Sequence, residues 1–155
     1  MRLRTYTQED FEALYAIEEL CFEDPFRFSR RYMKKLLEAS NSAAWIADTD
    51  KAMAGFAILE WNSELYGTNA YIVTLEVAPA FRRRGIGASL LAQCEDHATR
   101  IGASILWLHV ATENVSAIRL YEAHGFKYID REEDFYAIGR GAQVHAKKLR
   151  VLPLN

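Results

Sequence analysis

Cysteine is scarce in this chain, and neither sign of charge prevails. The two cysteines, Cys21 and Cys94, match no CxxC or metal spacing, which excludes a disulfide framework and leaves two free buried thiols of a reducing compartment. With 19 Lys and Arg against 21 Asp and Glu the net charge is −2, so no surface is built to coat nucleic acid. No apolar run approaches the roughly 20 residues of a membrane span, and the N-terminal segment lacks a signal-peptide core. A cytoplasmic protein is expected. His97, His124 and His145 do not cluster with carboxylates or thiols at ligand spacing, so no metal is expected. There is no repeat, low-complexity segment or linker, and half the residues are apolar, so one domain over 1–155 is expected.

What is present is a regular alternation of short elements. Residues 2–6 read as a strand. Thr7 caps a helix over 8–21 with Phe11, Leu14, Tyr15, Ile17, Glu18 and Cys21 at helical spacing. The loop Phe22-Glu-Asp-Pro-Phe26 follows, and Ser29 caps a second helix carrying Tyr32, Met33, Leu36 and Leu37. Residues 43–47 and 52–61 form a hairpin, and Gly67-Thr-Asn69 turns into a strand over 70–77. A helix runs from the glycines at 85 and 87 to Arg100 with Leu90, Leu91, Cys94, His97 and Ala98 inward, and a strand covers 105–110. Asn114 opens a helix with Ala117, Ile118, Leu120 and Tyr121 facing inward, stopped at Gly125. Residues 126–129 are strand-like, and a last pair passes through Phe135-Tyr136 and 144–149. The order β-α-α-β-β-β-α-β-α-β-β predicts a mixed α/β sheet with helices on both faces.

The richest stretch is Arg82-Arg83-Arg84-Gly85-Ile86-Gly87-Ala88 at a strand-to-helix junction. Glycines let the backbone approach a ligand, the helix start offers unpaired N–H groups and a positive dipole end, and the arginines add forked donors. A phosphate or pyrophosphate cradle is implied. No Gly-Lys-Ser/Thr ends the turn and a third glycine is missing, which excludes the Walker loop and the dinucleotide fingerprint.

Two motifs carry a family resemblance. Val77-x-Pro79-x-x-Arg82-x-x-Gly85-x-Gly87 resembles the acyl-CoA signature of the GNAT N-acetyltransferases, and Asn114-x-x-Ala117-x-x-x-Tyr121-x-x-x-Gly125-Phe126 resembles their second signature. The resemblance implies the GNAT fold, a mostly antiparallel sheet of about seven strands splayed between strands 4 and 5. It implies acetyl-CoA as cosubstrate. Backbone groups of Leu75, Glu76 and Val77 would pair with pantetheine. Arg82, Arg83, Arg84 and the amides through Gly85, Ile86, Gly87 and Ala88 would hold the pyrophosphate. Asn114 would bond near the pantetheine or diphosphate, and Tyr121 would protonate the CoA thiolate, a phenol near pKa 10 being suited to a thiol leaving group.

Within the family the chain is most similar to the N-terminal protein acetyltransferases, such as the ribosomal-protein alanine enzymes. His109 stands where many members carry a glutamate base. The pattern Tyr71-Ile-Val-Thr-Leu75 with His109 resembles the NatE type. Imidazole accepts a proton near neutral pH, so Tyr71 and His109 are read as the amine-deprotonating pair, directly or through a held water. Glu76 is the rival base. Its odd offset from Tyr71 places it on the opposite strand face unless a bulge intervenes.

The same likeness implies that Phe22, Pro25, Phe26 and Tyr136 contact the acceptor peptide. Here Phe135 and Gly141 stand where these enzymes often carry tyrosine and aspartate. That departure leaves a small amine acceptor open: a polyamine, amino acid or antibiotic. From another class, a non-catalytic acyl-CoA-binding domain is the alternative to an enzyme. Monomer and homodimer are both open.

Overall fold

The computed structural model describes residues 1–150. Seven strands and four helices follow in the order β1 (Arg2–Thr5), α1 (Phe11–Cys21), α2 (Arg30–Glu38), β2 (Ser42–Asp48), β3 (Met53–Glu64), β4 (Gly67–Val77), α3 (Ile86–Arg100), β5 (Ala103–Ala111), α4 (Val115–Ala123), β6 (Lys127–Ala137) and β7 (Arg140–Lys148), with short 3-10 turns at Gln8–Asp10 and Pro79–Phe81. The sheet order is β1-β2-β3-β4-β5-β7-β6. β4 and β5 pair in parallel, while β1–β2, β2–β3, β5–β7 and β6–β7 are antiparallel. The expected α/β class with a mixed seven-stranded sheet is the class observed. The β4–β5 ladder ends at Ile72↔Leu108, although β4 runs on to Val77 and β5 to Ala111.

Contacts group the described residues into two compact units, Met1–Glu60 with Val73–Cys94, and Trp61–Ile72 with the described residues from Glu95 onward. In the first, the apolar stripes of α1 and α2 meet β2 and β3 in a core of Phe11, Leu14, Ile17, Met33, Leu36, Ile46, Phe56 and Ile58. The Arg4 guanidinium donates to Asp48 (2.6 Å) and to both oxygens of Asp10 (2.7 and 2.8 Å), tying β1 to β2 and to the turn before α1. Ser29 Oγ accepts from Tyr32 N at 3.1 Å and starts α2 as expected.

In the second unit, Leu106, Leu108 and Val110 of β5 are buried on one strand face, while Trp107 and His109 on the other are half-buried. Asn114 caps α4, its Oδ1 accepting from Ala117 N at 3.3 Å, and Gly125 follows at φ +89°. Of the α4 residues expected inward, Tyr121 is buried; Ala117, Ile118 and Leu120 are half-buried. His97 is likewise half-buried on α3.

Two expected boundaries are corrected. Gly67-Thr-Asn69 is not a turn: β4 begins at Gly67, Thr68 and Asn69 already pair with Ala103 and Ile105, and the chain reverses at Leu65-Tyr66. Ladder partners override local turn chemistry there. Residues 126–129 and 135–136 are also not separate strands. Residues 127–129 and 135–136 both lie along β6, whose pairing with β7 shifts register between Tyr128 and Asp130 and again between Glu132 and Ala137, while Phe126 precedes it.

Candidate active site

In the second unit the β4–β5 register sets Tyr71 beside Trp107, with their rings 4.5 Å apart. His109 follows two residues along the same face of β5, and its Nδ1 lies 2.8 Å from the Tyr71 hydroxyl. The two residues singled out from sequence are therefore in direct hydrogen-bond contact. The other ring nitrogen, Nε2, is 3.1 Å from Glu132 Oε1. Phe135 stacks on the imidazole with centroids 3.9 Å apart and planes 13° from parallel. Between them these groups leave the His109 side chain 9% exposed.

Glu132 was missed from sequence. It lies in the charged run Asp130-Arg-Glu-Glu-Asp134, which reads as a solvated face. The ladder brings it to the site: β5 His109 pairs with Val144 of β7, whose near neighbour Ala142 pairs with Glu132 of β6. Two inter-strand steps and the two-residue offset along the strand amount to roughly 12 Å between backbones, a gap that a glutamate and an imidazole close between them. Strict alternation and a continuous β6 would have been needed to foresee it.

Tyr136 packs edge-on against Phe135 at 4.9 Å, and burial pushes its phenol up to about 12, so it is a neutral hydroxyl. Tyr121 is buried on α4 and meets Phe126 in a T-shaped contact at 5.7 Å.

In the first unit, Arg83 (φ +65°) and Gly85 (φ +78°) adopt left-handed backbone angles in the turn before α3. The first helical bond there runs from Ser89 N to Gly85 O at 3.1 Å, so the amides of Ile86, Gly87 and Ala88 precede the ladder and lack intrahelical acceptors. This is the geometry an anion requires. Arg83 and Arg84 are exposed, the latter over the Phe81 ring. Arg82 instead folds back, its Nε donating to Val77 O at 3.0 Å.

Backbone direction alternates along β4. Ala78 N donates to Ala54 O on β3 at 2.8 Å, and Glu76 O faces Gly55. Leu75 and Val77 therefore turn their backbone groups away from β3, and Val77 O already accepts from Arg82. Of the three residues expected to pair with pantetheine, Glu76 has its backbone committed to β3.

Glu76 does not share the strand face of Tyr71. Alternation holds through this part of β4, with Ile72, Thr74 and Glu76 buried and Tyr71, Val73 and Leu75 half-buried. Glu76 Oε2 accepts from Thr74 Oγ1 at 2.6 Å, and its pKa is raised well above the ordinary carboxylate value by burial and then by Glu18. Burial raises Glu18 as well, although Phe28 N donates to its Oε2 at 3.0 Å. One oxygen of each carboxyl is buried without a hydrogen-bond partner, and burial beside a second carboxyl favours the neutral form of Glu76. A base must be accessible, and Glu76 is buried. Because its folded pKa lies above the unfolded value, the stabilisation is complete below the ordinary carboxylate pKa and is lost as pH rises through the folded value. Glu76→Gln, which stays neutral, is expected to match wild type in acid and to gain a few degrees of Tm as pH rises from 5 to 9, followed by circular dichroism.

The loop residues Phe22, Pro25 and Phe26 lie beyond α1, Phe22 and Phe26 half-buried and Pro25 exposed. Arg27 Nε donates to Phe22 O at 2.8 Å and its Nη2 to Glu19 O at 3.0 Å, which fixes the loop to the end of α1. Cys94 is buried and Cys21 half-buried, and burial pushes the two thiols up to about 12 and about 11. Among the described residues no three His, Cys, Asp or Glu side chains are grouped to hold a metal, and no helix is long and apolar enough to cross a membrane.

Comparison with known proteins gives these features a family. A [ribosomal protein bS18]-alanine N-acetyltransferase of Salmonella typhimurium is 35% identical over 92 residues, covering 59% of this chain and 60% of that protein. Streptothricin acetyltransferase of Streptomyces lavendulae is 35% identical over 103 residues, covering 64% of this chain and 52% of that protein. The matched region thus spans between half and two thirds of these relatives' lengths. The solved ribosomal-protein-S18-alanine N-acetyltransferase from Escherichia coli superposes with a TM-score of 0.84 at 25% identity, covering 99% of this chain and 97% of that one. The model of the acetyltransferase (GNAT) family matches residues 11–126. That stretch takes in the left-handed turn, the Tyr71–His109 pair and the Asn114-capped helix, and the chain belongs to the GNAT acetyltransferase family.

Proposed function

We propose that this protein moves the acetyl group of acetyl-CoA to a primary amine, with the N-terminal α-amine of a protein or peptide as acceptor. The observation that carries the reading is the 2.8 Å contact between Tyr71 Oη and His109 Nδ1, which a domain that merely binds acyl-CoA does not need. An amine reaches the site mostly as ammonium and must lose a proton before it attacks the thioester carbonyl; Tyr71 and His109 are the groups that take it. The amides of Ile86, Gly87 and Ala88 fit a diphosphate, and the outward backbone groups of Leu75 with the Val77 N–H fit the amides of pantetheine. Asn114 spends its Oδ1 on the α4 cap and keeps its amide nitrogen for the ligand.

Transfer is direct, within a ternary complex. The raised thiols of Cys21 and Cys94 are poor nucleophiles, which removes an acyl-cysteine route. Tyr121 protonates the departing CoA thiolate. Tyr121→Phe is expected to lower turnover about tenfold to a hundredfold and to leave acetyl-CoA affinity unchanged, as measured by thiol release and by calorimetry. Two free thiols suit a cytoplasmic enzyme.

The acceptor assignment follows the relative that acetylates ribosomal protein bS18. A small-molecule acceptor is the second reading, favoured by the streptothricin acetyltransferase relative and by Phe135 and Gly141. Free-thiol release from acetyl-CoA, measured with a panel of short peptides and polyamines, separates the two. Turnover with peptides supports the first; turnover with polyamines alone selects the second; CoA binding without turnover refutes both.

A further inference from the structure

We infer that Glu132 is a positioning residue which sets the tautomer of His109, so that the Tyr71 hydroxyl oxygen, not the imidazole, is the atom that meets the substrate proton. The inference rests on the function proposed above and adds a third member to its proton-accepting pair.

The argument starts from donor and acceptor inventory. An ionised carboxylate only accepts, so at the 3.1 Å contact with Glu132 Oε1 the proton belongs to His109 Nε2. A neutral imidazole carrying its proton on Nε2 has a bare lone pair on Nδ1. The 2.8 Å contact there is then a hydrogen bond donated by the Tyr71 hydroxyl. Both ring nitrogens are engaged, Phe135 covers one ring face at 3.9 Å, and the side chain is 9% exposed. An incoming amine finds no free lone pair on the ring. A hydroxyl keeps its acceptor capacity when it donates its proton, so the Tyr71 oxygen is the atom of the pair that receives the substrate proton.

The step balances as a relay. An N–H bond of the substrate ammonium breaks as an O–H bond forms at Tyr71, and the original Tyr71 O–H bond breaks as an N–H bond forms at His109 Nδ1. The amine becomes neutral, the imidazole becomes imidazolium, and the Nε2 proton stays in its bond to Glu132. After the product leaves, the same hydroxyl returns the proton to water. Glu132 thus holds the ring in one tautomer and stabilises the cation that forms. The groups facing the ring are Tyr71 on β4, Glu132 on β6, and the uncharged Trp107 and Phe135.

The test uses full-length protein labelled with 15N-histidine, and variants Glu132→Ala and Glu132→Gln. Long-range proton–nitrogen correlation, with His109 assigned by the loss of its signals in His109→Ala, reads the tautomer with no substrate present. Wild type is expected as the Nε2–H tautomer, Glu132→Ala as a mixture, and Glu132→Gln, which keeps an acceptor oxygen, as Nε2–H. Glu132→Ala loses about tenfold in kcat with the acceptor KM unchanged. A wild-type ring in the Nδ1–H tautomer overturns the inference, and so does a Glu132→Ala protein with wild-type tautomer and wild-type kcat. The spectroscopic arm involves no acetyl transfer. A protein that acetylated no amine would therefore end the proposed function while leaving the tautomer result to stand or fall alone.

Discussion

His109→Ala is expected to lower kcat/KM for the acceptor amine by about 10²–10³, the range of a general base removed from a positioned site. Acetyl-CoA affinity should stay at the wild-type value, because the left-handed turn at Arg83 and Gly85 is formed by other residues. Tyr71→Phe should fall in the same range, since it deletes the hydroxyl that donates to Nδ1 and leaves the packing against Trp107 in place. The two losses should not add. A double variant as slow as either single one is the signature of residues that act as a unit. Steady-state rates with saturating acetyl-CoA and varied acceptor decide this. Independent, multiplying losses would mean that the hydroxyl and the ring serve separate steps.

The second large effect is on folding. A Cβ added at Gly55 would lie 2.4 Å from the Glu76 carbonyl oxygen and 3.2 Å from Val77 Cα. Both contacts are with backbone, so no side chain can swing aside and β3 must move from β4. Gly55→Ala is expected to cost about 3 kcal/mol, at the upper end for overpacking. For a chain of this length that is a fall in Tm of roughly 6–12 °C. The displaced segment carries Leu75 and Val77, so acetyl-CoA binding should weaken in the fraction that folds. Thermal melts followed by calorimetry with CoA give both numbers, and an unchanged Tm would mean that the close approach relaxes freely.

Much of this was legible in the sequence wherever a local rule and the global fold agree. Asn114 and Gly125 bracket α4 because a side-chain acceptor and a left-handed residue are what helix ends require, and the structure uses both. The face of Glu76 followed from counting by two along β4. What could not be read was any fact made by pairing between distant segments. Gly67-Thr-Asn69 has turn composition, yet Ala103 and Ile105 draw Thr68 and Asn69 into the ladder, and the turn falls on Leu65-Tyr66, which carries no turn signal. The buried partner of Glu76 is Glu18, visible in sequence only as a stripe residue of α1. Glu132 was hidden in the same way. Five consecutive charged residues look like solvated surface until β7 sets one of them against an imidazole on β5.

The central claim concerns the receiving atom. Equimolar short peptide and polyamine, offered together with acetyl-CoA to the wild-type protein, put it to the most direct test when the products are located by tandem mass spectrometry. The account predicts an acetyl group on the peptide's N-terminal α-amine, formed at a rate that His109→Ala lowers by about two orders of magnitude. Acetyl groups on the polyamine alone, or α-acetylation that is indifferent to His109, would contradict it.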